Sequence, residues 1–248
     1  MGATRAVGEI RARLVSAVSH GPVQLLVPNI DRLPSRAASR SVALTIDDGP
    51  CPASTPAILA ALAAHEARAS FFCSGVRAEA HPELVRAMVD AGHEVYPHGY
   101  EHEHFDRLTR GAVVEALERT ESLLRAARPT PTPYFVRLPH AAGQGSWHVN
   151  RAVLGWNHDA VFARWNVSSD DWAIDGTTDV QAACATAVDA VLSHTTLEGS
   201  IVLLHDSPID ATHDAGPLVA RTLVPALVDA LVARGFRLVG LGEAWSRP

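Results

Sequence analysis

The sequence predicts an α/β domain built on parallel strands, and three observations lead there. Apolar runs of strand length alternate with helical patterns from Ser41 to the end of the chain. Proline and glycine punctuate those patterns where helices start and stop. The polar residues able to do chemistry fall at the C-terminal ends of the apolar runs, the rim on which parallel barrels build their sites.

In chain order, strands are expected at Ser41–Asp47, Ala69–Cys73, His93–Pro97, Tyr134–Arg137, Ala160–Val167, Ser200–His205 and Phe236–Gly240. Amphipathic helices are expected at Thr55–His65, Pro82–Ala91, Arg110–Ala127, Thr178–His194 and Gly216–Arg234. "STPAIL" and "HPELV" set a proline in a first helical turn, whereas "DAGHEV" and "ARGFRL" close helices with glycine. Seven strands, most followed by a helix, form the pattern of βαβ units. "RPTPTP" (Arg128–Pro133) is a stiff connector too short to separate domains. Residues 1–37 read as an N-terminal extension in which Ile10, Leu14 and Val18 recur at helical spacing, and residues 38–248 as one domain.

With 248 residues, 47% of them hydrophobic, the chain can bury a sizeable core. A net charge of -6 and scattered arginines give no positive field for nucleic acid or an anionic membrane. No stretch is expected to reach the ~20 apolar residues of a spanning helix, so no stable membrane insertion is expected. Arg5, Glu9, Arg11 and Arg13 interrupt the apolar segment a leader peptide needs, which favours a cytoplasmic location. Cys51, Cys73 and Cys184 are odd in number and irregular in spacing, so no disulfide framework is expected. Cys73 reads as core and Cys51 as a loop residue near Asp48. Oligomeric state is not encoded in any of these features.

"LTIDDGPCP" (Leu44–Pro52) sets Asp47 and Asp48 side by side at a strand tip. Adjacent strand residues face opposite ways, but before Gly49-Pro50 both carboxylates can turn into the mouth. Two like charges there call for a compensating cation. "PHGYEHEH" supplies His98 and His102 at i, i+4, which on a helical turn share one face and can chelate a divalent metal. If Asp48 completes the set, Asp47 is left free as a base. Alone, each feature has a plainer reading: an Asp-Asp-Gly-Pro turn capping the next helix, or a chance pair among thirteen histidines. Arg137 is equally an ordinary ion-pair residue and Trp172 equally a core residue. His205, ending the apolar run "IVLLH", needs a polar partner.

Taken together, "TIDDGP" (Thr45–Pro50), "HGYEH" (His98–His102), "RLPHA" (Arg137–Ala141), "SSDDW" (Ser168–Trp172) and "IVLLHD" (Ile201–Asp206) resemble, in order and spacing, the five motifs of polysaccharide deacetylases. This is the NodB-homology group, carbohydrate esterase family four. The resemblance spans about Arg40 to Trp245. It implies a distorted (β/α) barrel of about seven parallel strands, and metal-dependent removal of an N-acetyl group from an N-acetylated saccharide. It assigns Asp48, His98 and His102 to a divalent metal, usually Zn2+, with Co2+ or Ni2+ as alternatives. Asp47 becomes the base acting on metal-bound water, Arg137 the residue that orients it, and His205 the general acid. The backbone N–H of His140, after Pro139, is the expected oxyanion donor. Leu203 is expected to line the acetyl-methyl pocket and Trp172 to wall the sugar groove.

Three positions depart from the family pattern. Gly99 stands where a Ser or Thr is usual, which is expected to loosen the two histidines. "RLPHA" replaces Arg-x-Pro-Tyr-Gly, putting Ala141 where a left-handed turn favours glycine. Ser168 stands at the first Asp of Asp-x-x-Asp-Trp, read as the carboxylate that raises the pKa of the acid histidine. Its loss is expected to weaken His205 unless Asp170, on the same strand face, or Asp171 compensates. Two other functions fit these departures: a metal-dependent amidase, deformylase or cyclic imidase on a small non-polysaccharide substrate, and a catalytically silent carbohydrate-binding barrel.

Overall fold

The computed structural model describes residues 27–177, 179–210 and 214–246. The helix expected around Ile10 to Val18 lies outside the described residues. The described residues form nine strands: β1 (Asn29–Ile30), β2 (Ser41–Asp47), β3 (Ser70–Cys73), β4 (Glu94–Pro97), β5 (Tyr134–Val136), β6 (Ala160–Ala163), β7 (Val167–Ser168), β8 (Ile201–His205) and β9 (Arg237–Val239). Every strand pair is parallel. Five sit in the larger sheet in the order β4-β3-β2-β8-β7, with β9 also on β2; the smaller sheet runs β1-β6-β5. No ladder joins the sheets among the described residues, and side chains close the seams instead. Tyr96 of β4 meets Phe135 of β5 edge-on, ring centroids 5.5 Å apart. The result is the distorted (β/α) barrel that the motifs imply.

Two expectations need correction. The run Ala160–Val167 is not one strand: β6 pairs within the smaller sheet and β7 pairs with β8 in the larger one. Between them the Arg164 amide still bonds the Ile30 carbonyl, whereas the Asn166 amide bonds that of Ile201, so the chain changes sheets over these few residues. Nor does the domain begin at residue 38. Asn29–Ile30 is a strand of the barrel, and Ile30, Leu33 and Ala37 are buried in its interior cluster.

Helices α1 (Ser35–Ala38), α2 (Thr55–Ala64), α3 (Gly75–Ala80), α4 (Pro82–Asp90), α5 (Arg110–Arg125), α6 (Trp147–Trp156), α7 (Val180–Leu192), α8 (Gly216–Ala233) and α9 (Leu241–Ser246) pack around the strands. Helix α8 is long and apolar enough by composition to cross a bilayer, which the sequence reading did not anticipate. Here Val219, Leu223, Val224, Leu227 and Leu231 instead bury its inner face in the core.

Strand parity fixes what each residue can do. In β2 the even residues Val42, Leu44 and Ile46 pack outward against the helices, while Ala43 faces the interior cluster. Leu204 and Phe71 are outward in β8 and β3, and Phe72, Tyr96 and Phe135 are inward. Carried along a period of two, inward parity reaches Asp47, His98, Arg137 and His205, each at a C-terminal strand end. The apolar alternation that builds the core therefore aims four polar side chains into one mouth.

Candidate active site

The mouth is a cavity of about 760 Å³ lined in part by Asp47, Asp48, His98, His102, Trp172 and His205. Asp48 lacks inward parity and gets there by a left-handed backbone at φ 73°. Of the eight non-glycine residues with positive φ among those described, six are Asp48, His102, His140, Ala141, Asp170 and Ser207, all around this mouth. Such conformations cost about 1–3 kcal/mol each and persist where surrounding structure enforces them. The Asp47–His205 register places the two strand ends side by side. Gly49 permits a close approach there, since a Cβ would lie 2.8 Å from the Asp206 carboxylate. That carboxylate accepts from the hydroxyls of Ser54 and Thr55, anchoring the start of α2 to the end of β8.

Asp47 divides its two oxygens. Oδ1 accepts from Arg137 Nη1 at 2.7 Å, and Oδ2 lies 3.7 Å from His98 Nε2. Arg137 is fully buried. Its other donors go to Thr45 Oγ1 and to the carbonyls of Ala163 and Arg164, with the guanidinium 4.3 Å from the Phe72 ring centroid. It is thus no surface ion pair.

Asp48 Oδ1 lies 3.4 Å from His98 Nε2 and 3.2 Å from His102 Nε2, and it is buried without a hydrogen-bond partner among the described residues. Two donor atoms on one tetrahedral cation with bonds of about 2.0–2.1 Å stand about 3.3–3.4 Å apart. The spacing of these three atoms and the orphaned oxygen therefore fit a shared divalent cation. Burial works to raise the pKa of Asp48, but the surrounding imidazoles of His98, His102 and His205 outweigh it and hold the carboxyl well below its usual range. For His98, burial works downward, yet Asp47 and Asp48 carry its pKa above the usual imidazole value. The same two carboxylates would draw a cation into this place.

The two histidines do not share a helical turn, as their spacing suggested. They lie on an irregular loop that bends at Gly99 (φ 72°) and His102 (φ 63°), leaving their rings 5.2 Å apart. A side chain at Gly99 would meet Glu103 Oε2 at 2.7 Å and Pro139 Cγ at 3.0 Å. Other groups brace this loop in place of that hydroxyl. Thr120 Oγ1 donates to the Gly99 carbonyl, and Glu103 Oε2 accepts from the Tyr100 amide. Likewise His140 and Ala141 both take the left-handed turn without glycine.

Of the two carboxylates considered as substitutes for one at position 168, Asp171 is the one that faces His205. Asp171, not a residue at position 168, is the partner of His205: its Oδ1 lies 2.7 Å from His205 Nδ1, and its Oδ2 accepts from the His205 backbone amide at 2.7 Å. Asp170 does not compensate. Strand β7 ends at Ser168, Asp170 is left-handed, and its carboxylate accepts instead from Ser168 Oγ. Burial lowers the His205 pKa, but Asp171 opposes it through charge and hydrogen bond, aided by Asp48 and Asp47, and the outcome is about 9. With Ser168 in place of a carboxylate, the pKa of His205 is still raised.

Leu203, Trp172 and His140 line the cavity, with Trp172 55% exposed at its rim. Pro139 is buried behind the wall. Cys73 is core, and Cys51 is a free, half-buried loop thiol outside the donor set. Trp165 and Asp210, which the sequence reading passed over, also line the cavity. Trp165 follows Val161 and Ala163 at a period of two, a usable signal for an inward side chain, but nothing local marked Asp210.

A parallel barrel carrying a carboxylate–bis-imidazole donor set, flanked by an Asp–Arg pair and a His–Asp pair, defines a hydrolase of the divalent-metal type. The family model for polysaccharide deacetylase matches residues 35–154. A chitooligosaccharide deacetylase of Sinorhizobium fredii is 34% identical over 213 residues, covering 84% of this chain and 94% of that one. A peptidoglycan-N-acetylglucosamine deacetylase of Bacillus cereus is 28% identical over 200 residues, 81% of this chain and 66% of the relative. Among solved structures, a family 4 carbohydrate esterase from Streptomyces lividans in complex with acetate superposes with a TM-score of 0.63 at 28% identity, covering 80% of this chain and 91% of that one. The chain belongs to the polysaccharide deacetylase family. It is an enzyme that hydrolyses carbon–nitrogen bonds other than peptide bonds, of a family that depends on a divalent cation.

Proposed function

We propose that this chain removes the acetyl group from an N-acetylated sugar or short chitooligosaccharide, with Zn2+ as its resident cation and Co2+ or Ni2+ able to replace it. The observation that carries the reading is the placement of a base pair and an acid pair on the rim of one donor set. Two imidazoles and a carboxylate suit zinc. A bound divalent cation there supplies Lewis acidity and makes water a stronger nucleophile.

The residues divide the remaining work. Arg137 holds Asp47 Oδ1, so Oδ2 is the oxygen free to take the proton of the attacking water. The water oxygen bonds to the acyl carbon and the C–N bond breaks. Because His205 Nδ1 is tied to Asp171, Nε2 is the atom that delivers a proton to the departing amine nitrogen. The amides of Ala141 and Ala142 are spent on the carbonyls of Leu138 and Pro139, which leaves the His140 amide as the donor for the oxyanion. Leu203 meets the acyl methyl, and the Trp172 indole offers a face to the C–H side of a pyranose.

Acetate release from chitooligosaccharides, measured beside formylated sugars and cyclic imides with the cation removed and restored, tests the substrate class. Turnover of imide or formyl substrates with none of the acetylated sugars would reassign the enzyme to small amides. A second result is expected from pH. A general acid works only while protonated, so activity carried by His205 is present below its pKa of about 9 and lost above it. Asp171→Asn removes the supporting charge and moves the alkaline limb of kcat toward the ordinary imidazole value near 6.5, with a loss of up to about thirtyfold at pH 8. An unmoved limb would leave His205 without its assigned part.

A further inference from the structure

His98 and His102 are held in different ways. His98 Nδ1 meets the main-chain carbonyl of Arg137 at 2.9 Å, a fixed point at a strand end. His102 sits in an irregular loop, and its Nδ1 lies 2.5 Å from Asp210 Oδ2, on the loop after β8. We propose that Asp210 is a positioning residue: it fixes His102 as the Nδ1–H tautomer, leaving the Nε2 lone pair free for the cation that Asp48 would share, and makes the loop after β8 the outer support of the cation site. This rests on the reading of Asp48, His98 and His102 as the donors.

The distance decides between support and a second ligand. Two donors sharing one cation stand about 3.3 Å apart, so a 2.5 Å contact is a direct hydrogen bond. The same loop reaches a second donor, since the Ile209 amide donates to Asp48 Oδ2 at 3.1 Å. The loop is itself held. Arg77 Nη1 donates to the carbonyls of Asp48, Asp206 and Ser207, so one guanidinium ties the end of β2 to the turn after β8. His140 Nε2 also stands 3.2 Å from Asp210 Oδ2, and its ring stacks on His104 at 3.8 Å. A carboxylate behind a metal-binding imidazole fixes ring and tautomer, and its removal costs about 10- to 100-fold in metal affinity or activity.

The test is Co2+ binding by chelator competition, with the visible spectrum of the cobalt-loaded protein, for the unmodified chain, Asp210→Ala, Asp210→Asn and Asp48→Ala. One Co2+ per unmodified chain is expected, with affinity weakened about 10- to 100-fold and an altered spectrum in Asp210→Ala. Asparagine keeps a carbonyl that accepts from Nδ1–H, so Asp210→Asn is expected to recover most of that loss. Unmodified affinity and spectrum in Asp210→Ala would overturn the inference while leaving the donor set intact. Two ions per unmodified chain, with one lost in Asp210→Ala, would make Asp210 a ligand of a second cation and overturn it as well. If the unmodified chain bound no more Co2+ than Asp48→Ala, the donor reading itself would fall, and this support with it.

Discussion

Asp47→Asn is expected to lower kcat by about three orders of magnitude while the cation stays bound. The substitution keeps shape and puts an amide where Oδ2 faces the donor set, and an amide cannot take a proton from water. Positioned general bases contribute about 10²- to 10⁴-fold. The change also strips the negative charge from Arg137, which is fully buried. Breaking a buried ion pair from one side costs about 3–5 kcal/mol, although the bonds from Arg137 to Thr45, Ala163 and Arg164 soften the loss here. Thermal unfolding measured beside kcat and metal content separates the two effects. Near-native turnover in a folded, metal-loaded Asp47→Asn would remove the base assignment.

Asp48→Ala is expected to be as inactive for the opposite reason. It deletes the one carboxylate among the three donors, leaving two imidazoles that cannot hold a dication at working concentrations. Metal content should fall to background and activity below detection, with no recovery on adding excess zinc. Asp47→Asn thus keeps metal without turnover, whereas Asp48→Ala loses both. Stoichiometric metal in Asp48→Ala would move the donor set elsewhere.

Much of this site was legible before any coordinates, because period-two alternation ties core residues to mouth residues. Once Val42, Leu44 and Ile46 are read as one face, Asp47 must lie on the other. The same counting places Arg137 and His205. It failed where the strand stopped. Asp170 shares the face of Ser168 only if β7 continues; it ends at Ser168, and the left-handed Asp170 turns the chain so that Asp171, the other acidic candidate, faces His205. The His98–His102 pair was found for a mistaken reason, since a bent loop and not a helical turn brings the rings together. Ala160–Val167 read as one strand because apolar character persists across a change of sheet. Asp210 carried no pattern at all: its place depends on Arg77 and on main-chain contacts between distant segments.

Arg137 belongs by sequence to the smaller sheet, yet its guanidinium also fastens to β2 in the larger one. The side chain that holds Asp47 is therefore also a rivet of the shell. Chemistry and architecture have a common point of failure, so a change at Arg137 would disturb the mouth and the seam between the sheets together.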